Sequence, residues 1–275
     1  MYIYVYFLQM DHSFIYFTFM KLSYYPIFNK RPESDRFLDE INTNSYQNII
    51  DDKSKSNICL IGWWDWFMLD MIKKLSKEWH ELFFGVNCWT LWFLLNDIQS
   101  LSELPTHYSW FRSVVDVYFL QATITTKSWE THTVLATNDI VLGNSIMDYY
   151  RFDITSPSLN KSILWTWLIL STWIWSTAYW LGNWGPIFPS GSQLLGIMWI
   201  ASKPFHYTCI QKDKLTISVS DRYSLSCFVD GFATTVKDIS RVEIIPCNKK
   251  IQLGFIWDFE SKRLLLSQEK LGSSY

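Results

Sequence analysis

Blocks of aromatic and aliphatic residues alternate along this chain with short charged stretches, and the spacing within each block predicts its element. Residues 1–28 open with YIYVYFL and FIYFTF flanking a polar stretch at 10–13, strand formers that predict a hairpin or a peripheral membrane anchor covered by a partner. Residues 29–57 are polar, with few apolar positions beyond Phe37, Leu38, Ile49 and Ile50, and predict an extended linker or a wrap over a neighbour. From Trp64 onward, Phe67, Met68, Met71, Ile72, Leu75, Trp79, Leu82 and Phe83 recur at three- and four-residue spacing. Asp70, Lys73, Lys74, Lys77, Glu78 and Glu81 take the other face, so an amphipathic helix is predicted. Gly85 interrupts it, and the apolar run at 88–95 is too short to cross a bilayer. Residues 114–125 and 129–137 read as two strands joined around Thr126, Lys127 and Ser128.

The most apolar segment lies between Lys161 and Lys203, where no Asp, Glu, Lys, Arg or His occurs. That is about twice the roughly 20 residues a transmembrane helix requires. Residues 162–181 predict one full crossing. Gly182, Asn183, Gly185, Pro186, Pro189 and Gly191 then break the helix, and 187–202 predict a short second apolar segment that crosses back or lies at the interface. After Lys203 short strands return: 215–219 alternates, and 223–229 pairs with 232–236 through Asp230 and Gly231, a hairpin dipeptide. Residues 239–245, 251–257 and 263–267 complete a small antiparallel β domain. The predicted organisation is therefore an α+β membrane protein: an aromatic segment at 1–28, a polar linker at 29–57, a mixed α/β region at 58–160, a membrane segment at 161–203 and a β domain at 204–275.

Composition sharpens this picture in two ways. Sixteen Trp residues are far more than ordinary usage, and seven of them (Trp165, Trp167, Trp173, Trp175, Trp180, Trp184 and Trp199) fall in the charge-free span. Indoles favour the membrane boundary, whereas Trp173 and Trp175 at mid-span predict burial against partner helices. Net charge is −2, acidic before Lys161 and basic after Lys203, with no basic cluster of the kind nucleic acid requires. The five Cys are scattered without a CxxC, so free thiols are expected rather than disulfides or a zinc site.

Candidate chemistry is sparse. No ionisable group lies in the span to serve ion-coupled transport, and no His to serve haem. His206 and Cys209 lack a second pair for a metal. His80 with Glu81, His107, and His132 beside Glu130 are possible acid–base groups that surface positions explain as well. Asp65 and Asp70 are five residues apart and do not stack on one helix face. No GxSxG, Walker A or GxGxxG motif occurs. No catalytic, cofactor-binding or metal-binding residue is therefore singled out, and no cofactor is expected.

From about 160 to 267 the order of features carries a resemblance. It rests on Phe188, Pro189, Ser190 and Gly191 at the break, KDISRVEI at 237–244 as a strand entry, and Arg263 followed by three Leu at 264–266. These residues resemble bacterial PH-like membrane proteins and the plastid photosystem I assembly protein built as a membrane hairpin plus β domain. The resemblance implies scaffolding without catalysis. Together these readings predict a non-enzymatic membrane subunit or assembly factor of an organellar, energy-transducing complex. Its partners would be other membrane subunits of a hetero-oligomeric complex and the lipid bilayer, with no nucleic acid. The expected location is the mitochondrial inner membrane, with the thylakoid second. The alternatives are a lipid- or peptide-binding membrane-anchored module, or an enzyme whose site is shared with a partner.

Overall fold

The computed structural model describes residues 21–43, 46–75, 82–88, 93–144, 149–174, 176–177, 179–200, 206–211, 213–220, 224–231 and 234–272. Most of the N-terminal aromatic segment lies outside them. The chain forms two compact units, 1–114 with 252–259, and 115–251 with 260–275.

The first unit is a parallel α/β layer. Strand β1 (Tyr24–Phe28) leads to helix α1 (Pro32–Thr43), β2 (Ile58–Trp63), helix α2 (Asp65–Leu75) and β3 (Leu82–Asn87). β1, β2 and β3 pair parallel in that order, and Gln252 and Leu253 extend the row beside β3. Every side chain of β2 is buried, because helices or loops cover both faces of a parallel sheet. α1 occupies 32–43, where polar composition predicts a linker. One buried Phe37, with Ile41 a turn later against the same core, is enough apolar stripe to hold it down. α2 starts where the helical spacing predicts and is described as far as Leu75, and Leu82 and Phe83 lie in β3. Gly85 sits where segment 94–96 crosses β3: a Cβ there would meet Leu95 and the Met68 sulfur at 2.5 Å. Asn96 locks that crossing, donating Nδ2 to the Gly85 and Gly254 carbonyls and accepting from Ile256 N.

The second unit is built from β4 (Ser113–Thr126), β5 (Thr131–Ala136), β6 (Asp139–Gly143), β7 (Tyr150–Ser156), β8 (Leu159–Trp165), β9 (Trp167–Ser171), the single-turn helix α3 (Tyr179–Gly182) and β10 (Leu194–Ile200). It continues with β11 (His206–Gln211), β12 (Leu215–Val219), β13 (Ser226–Val229), β14 (Thr234–Val236), β15 (Ile239–Phe255) and α4 (Phe259–Gly272). One sheet of six strands runs β11-β10-β9-β6-β13-β14. Facing it are β15, β12, β7 and β8, with β4 and β5 alongside. Leu168, Leu170, Leu195, Ile197, Cys227 and Val229 from the first meet Phe152, Ile154, Ile217 and Val242 from the second in one core.

The charge-free span is not a membrane segment. It forms the end of β8, then β9, a turn, α3 and β10. β9 and β10 pair with each other inside the six-stranded sheet, and alternate residues on both faces are buried, Leu168 and Leu170 on one and Ile169 on the other. A strand buried on both faces needs no polar positions, so two of them joined by an uncharged loop mimic the composition of a membrane hairpin. Among the described residues no helix is long and apolar enough to cross a membrane. The strand expected at 263–267 is also replaced, by α4. There Arg263 and Phe259 are buried one turn apart while Leu264 and Leu265 face out. Arg263 donates to the Phe188 carbonyl at 2.5 Å and to Glu260 Oε1 at 2.8 Å, tying α4 to the loop after α3.

The five cysteines are free. Burial pushes the Cys59 and Cys227 thiols up to about 12, which keeps them protonated and poorly nucleophilic. Cys209 lies exposed on β11. In a short iodoacetamide pulse at pH 8, Cys209 is expected to be alkylated while Cys59 and Cys227 react only after unfolding. Equal labelling of Cys59 in the native protein would contradict the burial described here.

Candidate functional site

In the first unit the chemistry gathers at the carboxyl ends of the parallel strands, the edge at which α/β sheets present ligands. β2 ends at Trp63, and Asp65 begins α2 two residues later. Asp65 is 2% exposed, and its carboxylate accepts from Phe93 N at 3.2 Å through Oδ2 and from Leu94 N at 3.1 Å through Oδ1. Those bonds fix its orientation at the N-terminus of the 11-residue helix. β3 ends beside it at Asn87, the register partner of Trp63, whose amide donates to Asp97 Oδ1 at 2.7 Å. The Trp63 and Trp64 rings meet at 5.5 Å over this edge. A held, oriented carboxylate at such an edge can accept a proton from a hydroxyl nucleophile.

In the second unit the connection from β5 to β6 (Thr137, Asn138) folds onto Asp230. The Asp230 carboxylate accepts from Thr137 N and Oγ1, Asn138 N and Asp139 N, at 2.7 to 3.3 Å. Gly231 N donates in return to Asp139 Oδ1 at 3.3 Å. Thr172, just after β9, closes the knot by donating to the Asn138 and Thr137 carbonyls. Asn138 is 1% exposed, and its Oδ1 accepts no hydrogen bond among the described residues. A buried amide oxygen without a donor carries a desolvation cost.

The groups weighed in the sequence are dispersed. Asp70 pairs with Lys74 at 2.7 Å on the outer face of α2, away from Asp65 on the helical wheel. The His107 ring lies tilted beside that of Trp110 with centroids 6.2 Å apart, and His132 lies 3.4 Å from Glu130 on the rim of a shallow, polar cavity of about 580 Å³. His206 rests on the rings of Trp165 and Trp199, and its odd spacing from Cys209 puts the two on opposite faces of β11. His80 and Glu81 lie outside the described residues. Among the described residues no three His, Cys, Asp or Glu are grouped to hold a metal ion. Sequence reasoning passed over Asp65 and Asn138 as site residues. The available signal for Asp65 was the apolar run at 58–63 placed directly before an acid and an amphipathic helix, a strand–turn–helix.

No protein-family model matches this chain, and no curated protein matches it. Solved structures do: a parallel α/β unit joined to a β unit of this kind is the fold of kinases of nicotinamide dinucleotides. The yeast NADH kinase complexed with NADH superposes with a TM-score of 0.72 at 14% identity, over 93% of this chain and 89% of that one. An NAD kinase from Archaeoglobus fulgidus in complex with ATP gives 0.66 at 12% identity, over 90% of this chain and 99% of that one.

This likeness overturns the resemblance to PH-like membrane proteins and the photosystem assembly protein, because it runs through nearly the whole chain rather than part of it. The α+β membrane architecture falls with it. So do the non-catalytic membrane subunit or assembly factor, the membrane-subunit and bilayer partners, and the placement in the mitochondrial inner membrane or thylakoid. Each of these was inferred from a span that holds two paired strands and, among the described residues, no helix long enough to cross a membrane.

Proposed function

We propose that this protein is an enzyme, a kinase that transfers the terminal phosphoryl group of ATP to a hydroxyl of a nicotinamide dinucleotide. The observation that carries this reading is the end-to-end likeness to two kinases of that class, one described with NADH and one with ATP. Asp65 supplies the chemistry. It takes the proton of the attacking ribose hydroxyl as the hydroxyl oxygen bonds to the γ-phosphorus, the bond from that phosphorus to the bridging oxygen breaks, and ADP leaves. Catalysis of this kind is mostly positioning, so a carboxylate clamped by two backbone N–H groups is better suited than a mobile surface acid.

The test is incubation of the full chain with Mg·ATP and either NAD or NADH, following ADP release and formation of the phosphorylated dinucleotide. ADP and NADP or NADPH in equal amounts are expected. ATP hydrolysis without dinucleotide phosphorylation would refute the reading, as would no turnover with either acceptor.

A further inference from the structure

Two tight connections in the second unit place an indole on left-handed backbone. Among the described residues the non-glycine positions with positive φ are Trp129, Trp184, Asp230 and Asp238. Asp tolerates this region because its short side chain bonds locally, whereas a bulky side chain drives its Cβ against the following carbonyl.

Trp129 ends the loop between β4 and β5. Its N–H donates to the Thr126 carbonyl at 3.1 Å, and Thr126 N donates to the Glu130 carbonyl at 2.9 Å. That pattern is a three-residue hairpin loop, a turn followed by one left-handed residue in the bulge, and that last position calls for glycine. Trp184 ends the turn of α3. Its N–H donates to the Leu181 carbonyl at 2.9 Å and Gly185 N donates to the Trp180 carbonyl at 3.0 Å, the paired bonds of a helix C-cap whose left-handed position is usually glycine. Both residues have φ 66°. Packing compensates neither: Trp129 is 86% and Trp184 67% exposed. Composition leans the same way, with 16 Trp against 10 Gly in a chain where glycine ordinarily supplies about 7%.

We infer that positions 129 and 184 are glycine in the protein as its source makes it, the triplet UGA being decoded there as glycine instead of tryptophan. UGA is read as tryptophan in some genetic codes and as glycine in others, while UGG specifies tryptophan. The inference stands on backbone geometry, with composition beside it.

Three readouts test it without using activity. The gene should carry UGA at both positions, and UGG at either overturns the assignment. Protein isolated from its source should yield tryptic peptides 128–151 and 162–212 with glycine at 129 and 184, and tryptophan at either position overturns it. The W129G/W184G variant should melt a few degrees above the protein with tryptophan at both positions, and an equal or lower midpoint overturns the inference. Glycine at both positions in a source protein without kinase activity would leave this inference standing and sink the kinase reading instead.

Discussion

Asp65→Asn is expected to lower kcat for dinucleotide phosphorylation by about 10²- to 10⁴-fold, the range general-base removal covers. Asn keeps the shape of the side chain but cannot accept a proton. It also turns one of its two heads from acceptor to donor. Either Phe93 N or Leu94 N then faces an N–H, and the amide is reoriented or one bond is lost. That local cost is about 1 to 3 kcal/mol, small enough to leave the protein folded. Two controls separate chemistry from folding. Asp70→Asn, on the outer face of the same helix and paired only across one turn with Lys74, should keep full activity. The thermal midpoint of Asp65→Asn should stay within a few degrees of the parent. A variant that retains kcat within about threefold would show that Asp65 is not the base and would move attention to other groups on the same strand ends.

Local patterns were legible where one face of an element meets water. The β4–β5 hairpin, the alternation of β12 and the turn at Asp230 and Gly231 each follow from side chains of neighbours in sequence. What escaped was whatever depends on distant chain. β3, β9 and β10 are covered on both faces, so they carry no alternation and read as helix or as membrane. Leu82 and Phe83 continue the helical spacing of α2 by coincidence, yet Cys59 and Phe83 are register partners in a parallel pair. The site has the same character. Asp65 is visible as an acid, but it becomes an oriented base only because residues 93 and 94 return to it across 28 positions. Asp230 and Asn138 each look like turn residues, and their burial depends on a pairing of β13 with β6 that neither segment announces.

That pairing sets up the largest stability effect expected in the molecule. Asp230→Ala should lower the thermal midpoint by roughly 10 °C, from a loss of several kcal/mol at about 2 to 4 °C per kcal/mol for a chain of this size. Three buried backbone donors, Thr137 N, Asn138 N and Asp139 N, would lose their acceptor together, and each unsatisfied donor costs about 1 to 3 kcal/mol. The backbone adds to this. Asp230 holds φ 49°, where Ala is disfavoured by about 1 kcal/mol. Asp230→Asn should fall between parent and Ala, since it keeps one oxygen for the Asn138 N–H and tolerates the left-handed conformation. The ordering parent, Asn, Ala in a melting series is therefore the signature of the carboxylate's five hydrogen bonds from Thr137, Asn138 and Asp139. An Ala variant melting within about 2 °C of the parent would mean that water replaces those bonds and the knot is not buried in solution.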